Sequence, residues 1–256
     1  MWHMGWIASL TKLLQRGVQG AGDVVFPSVC AYCDIDVTSG AVFDRLCDAC
    51  LPKLSEPSTH RCPKCAAQAA VTFQGPDCPW CGEHDLRFDQ AYTLGRYSDD
   101  LREAVLRLKH AGEESLATGL ARLLVERHAS AWETAEIDLV VPIPMHWWRR
   151  AWQGHNGPDL TAALIARKLN VYDYPRLLRR KRRTRPQAGL SRPERRENVR
   201  GCFSLRSGYR VDGARVLLVD DILTTGATCS EAARTLKRAG AASVAVAVLG
   251  RAQGEV

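Results

Sequence analysis

Residues 215–228 read RVLLVDDILTTGAT. Val216, Leu217, Leu218 and Val219 form an unbroken β-prone apolar run, of the kind a parallel sheet buries on both faces. Asp220 and Asp221 follow at once, placing two carboxylates at the carboxyl end of a strand, where open α/β sheets bind their ligands. Thr224, Thr225, Gly226, Ala227 and Thr228 then supply hydroxyls, backbone N–H groups and one residue free to take a positive φ. The apolar spacing of Ala232, Ala233, Leu236 and Ala239 continues as a helix, so the turn has the composition and position of a phosphate cradle. The plainer reading, a βα turn with chance acids, leaves two charges after a buried strand without a partner.

Nothing in the chain matches G-x-x-x-x-G-K-[ST], and no βα turn carries G-x-G-x-x-G. A sugar phosphate fits the remaining pattern better than a nucleoside triphosphate, with the phosphate on the turn and the carboxylates accepting hydrogen bonds from vicinal ribose hydroxyls. Read in this way, VLLVDDILTTGAT resembles the phosphoribosyl-pyrophosphate (PRPP) motif of type I phosphoribosyltransferases.

The flanking sequence predicts the rest of an α/β sheet. Phe88 to Tyr97 holds several β-formers, and Ser98 is placed to cap a helix through Leu101, Val105 and Leu108; a second helix, Leu116 to Leu124, follows Gly112. These two helices are expected to precede the sheet. Ile137 to Val141 is the next buried-strand candidate, ended by Pro142-Ile143-Pro144. Thr161 to Leu169 has helical spacing, and Ser243 to Leu249 makes a last strand after Gly240 closes a helix. Strands alternating with helices mean a parallel sheet.

Eight of the ten cysteines form four C-x-x-C pairs: Cys30/Cys33, Cys47/Cys50, Cys62/Cys65 and Cys78/Cys81. Sequential pairing gives C-x₂-C-x₁₃-C-x₂-C and C-x₂-C-x₁₂-C-x₂-C, close to zinc-ribbon spacing, so two structural Cys₄ zinc sites are expected. Interleaved or nested pairing stays open, as does redox or iron–sulfur chemistry. A closed Cys₄ shell leaves zinc no open position for substrate. The remaining two cysteines, Cys202 and Cys229, read as small buried fillers.

With 256 residues, 46% of them hydrophobic, the chain can hold one full α/β domain and a smaller module. Ile7, Leu10, Leu14 and Val18 lie on helical spacing but are interrupted by Lys12 and Arg16. The N-terminus is therefore read as an amphipathic helix packing on the protein, with neither a secretory segment nor a membrane span, and the cytoplasm is the expected location. Charge is local. Residues 176–200 carry 11 Arg or Lys and 2 Glu, a net +9 that exceeds the +7 of the whole chain. Around its centre, from Arg183 to Ser191, Pro186 and Gly189 break any helix, so those residues read as a mobile basic loop suited to polyanions: a pyrophosphate, nucleic-acid phosphates, or neither if it is only a solvated basic face.

Cysteine pairs ahead of this domain resemble the ComF/GntX family of competence- and DNA-utilisation-associated phosphoribosyltransferase-like proteins, from about Phe26 to Arg251. Arg182, Thr184, Gln187, Leu190, Ser191, Arg195, Asn198, Val199, Gly201 and Phe203 match the family's R-x-T-x-x-Q-x-x-L-S-x-x-x-R-x-x-N-V-x-G-x-F. Val141-Pro142-Ile143-Pro144, Arg149-Arg150 and Gln153-Gly154-His155-Asn156-Gly157 stand where the family has V-P-V-P, basic residues and R-G-F-N-Q, with the Arg, Phe and final Gln replaced.

The resemblance implies an α/β, type I phosphoribosyltransferase-like parallel sheet flanked by helices (residues 87–256), preceded by a small Cys₄ zinc-ribbon module (26–86) and an N-terminal amphipathic helix (1–25). It implies displacement of pyrophosphate from C1 of PRPP. Asp220 and Asp221 would orient the ribose hydroxyls, Thr224, Thr225, Gly226, Ala227 and Thr228 would hold the 5′-phosphate, and Mg²⁺ would bridge pyrophosphate oxygens. Arg149, Arg150, Arg182, Arg183 and Arg185 are candidates for the pyrophosphate side. Only seven residues follow Leu249, so the cover of the pocket is expected from the zinc module, the helices after Tyr97 or a partner. Two functions follow: phosphoribosyl transfer to an acceptor, or a non-catalytic accessory role with single-stranded DNA and DNA-processing proteins as partners, PRPP serving regulation or structure.

Overall fold

The computed structural model describes residues 29–37, 45–56, 60–68, 78–82, 86–144, 157–185, 187 and 189–253. The expected helix in residues 1–25, Arg149, Arg150 and the Gln153–Gly157 element up to Asn156 lie outside these. Short helices α1 (Leu51–Leu54) and α2 (Pro79–Gly82) belong to the cysteine region. The domain then runs β1 (Gln90–Arg96), α3 (Asp99–Arg107), α4 (Glu114–Thr134), β2 (Leu139–Pro142), α5 (Gly157–Leu169), β3 (Tyr172–Asp173), β4 (Leu178–Arg180), α6 (Arg192–Val199), β5 (Phe203–Leu205), β6 (Arg215–Leu223), α7 (Ala227–Arg238) and β7 (Ser243–Arg251).

Five strands form one sheet in the order β1-β7-β6-β2-β3, every pair parallel, while β4 and β5 make a separate antiparallel pair. Alternate residues of β6 serve two cores, as the period of a strand requires. Leu217 and Val219 pack with Val140, Ala245, Ala247 and residues of α3, α4 and α5. Val216 and Leu218 pack with Val141, Val246, Val248 and the apolar face of α7. The chain winds outward from β2 to β3 on one side and from β6 to β7 on the other, so the β2/β6 boundary is the point where winding reverses and a crevice opens.

Three sequence expectations are corrected. First, β1 precedes α3 and α4 and is already the edge strand of the sheet, pairing with β7. Secondly, Ser98 occupies the N-cap position of α3, but its hydroxyl makes no cap hydrogen bond and instead accepts one from Arg96 Nε at 3.2 Å. Thirdly, α4 runs past Leu124 to Thr134, because Val125, Ala129 and Trp132 prolong its buried stripe.

The cysteine region straddles the β1 edge. Cys30, Leu46, Cys50 and Leu54 join the core on the α3/α4 face, whereas Cys62, Cys65 and Cys78 join the core on the α7 face. Between them, Glu56 N donates to Leu94 O (3.1 Å), Ala91 N donates to Pro63 O (3.2 Å) and Arg96 N donates to the Glu56 carboxylate (3.0 Å). The outer edge of β1 is thus covered rather than left as an open template. Among the described residues no helix is long and apolar enough to cross a membrane.

Candidate functional site

β2 stops at Pro142, opposite Val219, while β6 continues beside β7 with Asp220 opposite Val248 and Leu223 opposite Arg251. The strand therefore runs on past the two acids, where the sequence placed its end, and from Asp220 onward one of its flanks faces the crevice. Asp220 Oδ1 accepts from Asp221 N (3.0 Å), and Asp221 Oδ1 accepts from Ile222 N (2.7 Å). Burial, then the neighbouring Asp221 charge, pushes the Asp220 carboxyl well above the usual carboxylate range, with Arg180 pulling the other way. Cys229 Sγ lies 3.8 Å from Asp220 Oδ2, and its thiol is raised by burial first and the two aspartates next.

The turn after β6 is held from three sides. Gly226 takes φ +75° at the N-cap of α7, a conformation that favours glycine, and a Cβ there would come within 2.7 Å of Leu86 Cδ2 and have to displace that side chain. Gln187 Nε2 donates to Thr228 Oγ1 at 2.7 Å, reaching the turn from the basic segment. Arg251, 3% exposed, donates from Nη1 to the Leu223 and Thr224 carbonyls and from Nε to Cys65 O at 2.9 Å. Thr225 is buried, and its hydroxyl accepts from Ala227 N.

The basic segment is internally braced. Arg182 donates to the carbonyls of Glu197 and Arg200 at the end of α6, where a cation also suits the helix dipole. Asn198 clasps the backbone of Arg185 through both amide atoms (2.9 and 2.8 Å). Glu194 accepts from Ser191 N and Oγ, and Gly201 N donates to Glu231. These contacts give physical reasons for Ser191, Asn198 and Gly201 in the motif. Arg180 was missed in the sequence: it stacks 5.1 Å from the Phe203 ring, donates to Pro144 O (2.9 Å) and Thr184 Oγ1 (2.7 Å), and is the cation that acts on Asp220. A cavity of about 340 Å³ between α6, α7 and Arg87 is lined by Arg196, Arg200, Arg234 and Glu231.

The eight paired cysteines gather as Cys30/Cys33/Cys47/Cys50 and Cys62/Cys65/Cys78/Cys81, the sequential pairing. Sulfur separations of 3.7 Å (Cys33–Cys47), 3.5 Å (Cys62–Cys81) and 3.8 Å (Cys65–Cys78) approach the ~3.8 Å edge of a tetrahedron with ~2.3 Å zinc–sulfur bonds. The clusters therefore fit one tetrahedral zinc ion each. Burial raises the Cys30 thiol, but N–H groups of Cys33, Cys47 and Tyr32 more than offset it and bring it down to about 6. At Cys62 burial is likewise offset, by the Cys65 N–H and the other thiols, and the net shift is downward. In each cluster one sulfur is thus shifted toward the thiolate form.

A sheet with this acidic βα turn at its switch point defines a phosphoribosyltransferase-type protein, and residues 160–255 match the model of the phosphoribosyl transferase domain. Competence protein F of Haemophilus influenzae is 29% identical over 211 residues, 81% of this chain and 90% of that protein. DNA utilization protein YhgH of Escherichia coli K12 is 30% identical over 224 residues, 86% and 95% of the two chains, and competence protein ComFC of Bacillus subtilis is 27% identical over 235 residues, 87% and 94%. The chain belongs to their family, the ComF/GntX family.

The acids carry a stability cost that can be measured. A carboxyl whose folded pKa is raised stabilises the fold fully below its unfolded value near 3.8, and that contribution is lost as pH rises through the folded value. Asp220→Asn should therefore raise the melting temperature at pH 7–8 and flatten the fall in stability from acid to neutral pH. A variant that melts at or below the wild-type temperature, with the same pH slope, would contradict a strained acidic pair.

Proposed function

We propose that the protein binds PRPP with Mg²⁺ at the Asp220–Thr228 turn and transfers the phosphoribosyl group to an acceptor, in the context of DNA uptake or utilisation that the names of its relatives indicate. The observation that carries this reading is the juxtaposition of the two carboxylates with a glycine-pinned helix N-terminus at the switch point. Thr224–Thr228 hold the 5′-phosphate, and Asp220 and Asp221 accept hydrogen bonds from the ribose hydroxyls. The donor set suits a hard, oxygen-ligated cation: two adjacent carboxylates repel one another, and a cation beside them would relieve that repulsion. Mg²⁺ supplies charge neutralisation on pyrophosphate.

In the transfer, the acceptor nucleophile bonds to C1 as the C1–oxygen bond to pyrophosphate breaks, with the bonding electrons leaving on pyrophosphate and the acceptor's proton going to solvent. Positive charge grows on the ribose ring, so the fixed carboxylates act by position and electrostatics. Arg149, Arg150, Arg182, Arg183 and Arg185 are assigned to the pyrophosphate side, and two zinc ions to the Cys₄ clusters. Calorimetric titration with PRPP and Mg²⁺ tests the reading, followed by pyrophosphate release with candidate acceptors. Absence of PRPP binding would end it, while binding without release across acceptors would favour the accessory role.

Single-stranded DNA as a further ligand is favoured by one observation, the exposed arginines of residues 179–200. Arg183→Ala with Arg185→Ala should flatten the salt dependence of single-stranded DNA binding by about 0.7 in log–log slope per lost phosphate contact. Arg182 is best left in place, since it braces α6. An unchanged slope with weakened PRPP binding would assign the loop to pyrophosphate alone.

A further inference from the structure

The two cysteine clusters stand in different relations to the phosphate turn. The first is fastened to α3 and α4: Tyr32 Oη donates to Asp100 (2.7 Å), Arg107 donates to the carbonyls of Ala31 and Tyr32, and Leu46 lies against Gly119. The second lies on the face that carries the turn. Leu86 and Phe88, which follow Cys78 and Cys81 in the chain, form the floor under Gly226. Arg251 spans the remaining gap, with Nε on Cys65 O and Nη1 on the Leu223 and Thr224 carbonyls.

A buried guanidinium bonded to carbonyls still needs a counter-charge, because an uncompensated interior charge is costly. Four thiolates around one divalent ion carry net −2, and the Cys65 carbonyl places Arg251 against that group. A metal that fixes the Cys65 knuckle fixes Arg251, and Arg251 in turn fixes the backbone entering the turn. Any ligand that needs the same turn geometry is then linked to the metal, and linkage between two binding equilibria is reciprocal.

We propose that Arg251 is a positioning residue that couples the second cysteine cluster to the phosphate turn, so that zinc at Cys62/Cys65/Cys78/Cys81 and PRPP each strengthen the binding of the other, while zinc at the first cluster is uncoupled. The inference rests on the PRPP reading above. Lysine retains the charge but offers a compact ammonium in place of a fork and cannot donate to Cys65 on one side and Leu223–Thr224 on the other.

The test uses the full chain loaded with zinc. PRPP with Mg²⁺ is titrated calorimetrically into wild type and Arg251→Lys, with zinc content and melting temperature measured on both. Separately, zinc is competed at equilibrium against a coloured chelator, with and without saturating PRPP–Mg²⁺. About tenfold weaker PRPP binding is expected in Arg251→Lys with two zinc ions retained, coupling of this kind being typically 5–150-fold. In wild type, PRPP should raise about tenfold the chelator concentration needed to extract one of the two zinc equivalents and leave the other unmoved, and Arg251→Lys should abolish that protection. PRPP affinity within twofold of wild type, or two zinc equivalents equally indifferent or equally sensitive to PRPP, overturns the coupling. If Arg251→Lys does not fold, the wild-type competition decides alone. Failure of PRPP to bind wild type overturns the PRPP reading and the coupling together, whereas binding without protection overturns only the coupling.

Discussion

Stripping the metal from both cysteine clusters is expected to abolish the folded arrangement of Cys30/Cys33/Cys47/Cys50 and Cys62/Cys65/Cys78/Cys81 and to open the sheet at β1. Structural zinc contributes roughly 10–16 kcal/mol of apparent free energy in small metal-dependent domains, comparable to or larger than the whole net stability of an ordinary domain, about 5–15 kcal/mol. The loss will not stay within the module, because Glu56 and Pro63 satisfy backbone groups of Leu94 and Ala91 along the outer edge of β1, and both clusters contribute buried side chains to the cores of the sheet. Hydrogen exchange on chelated protein should show β1 and α3 amides losing protection while the central β6 amides keep theirs. Aggregation should rise in step, since β1 then presents unpaired N–H and C=O groups. A chelated, zinc-free protein that melts within a few degrees of the loaded one would show that the clusters fold without metal.

Asp220→Asn combined with Asp221→Asn should weaken PRPP binding by at least 100-fold while leaving the protein folded. A hydrogen bond to a charged group contributes about 1.5–3 kcal/mol, so two carboxylates that each lose such a bond cost roughly 3–6 kcal/mol. The fold should tolerate the change, because the acids flank a crevice beyond the end of β2 and the amides keep an oxygen for the Asp221 and Ile222 N–H groups. Calorimetry gives the affinity, and circular dichroism checks the fold. An affinity within threefold of wild type would remove the acids from sugar recognition.

The parts of the site built from contiguous residues were legible in the sequence. Val216–Val219, the acids and Thr224–Thr228 are neighbours in the chain, so the run, the charge and the turn chemistry could be read together. The same holds for the cysteine pairs, whose spacing anticipates the sulfur tetrahedra. Arg180, Gln187 and Arg251 were not legible as site residues because their roles depend on partners distant in sequence: Asp220, Thr228 and Cys65. The edge position of β1 was hidden because the cysteine region buries its middle residues on both faces, and the strand shows no alternation of apolar and polar residues. The continuation of β6 past its acids was concealed for the opposite reason, since only the stopping of β2 shows that a charged pair there can remain laddered on one side.

The strand order β1-β7-β6-β2-β3 also bears on how the protein is made. β1 emerges from the ribosome long before β7, yet β7 is its only strand partner among the described residues, and its other flank is covered by residues translated still earlier. During synthesis the cysteine knuckles can close on β1 and shield one side, leaving the other waiting for a strand that must slot between β1 and β6. Closure of the sheet is therefore a late event with a long-range contact, the kind that folds slowly and exposes apolar surface meanwhile. Because the acidic turn directly precedes α7 and β7, the candidate site and the central sheet are completed by consecutive segments of the chain.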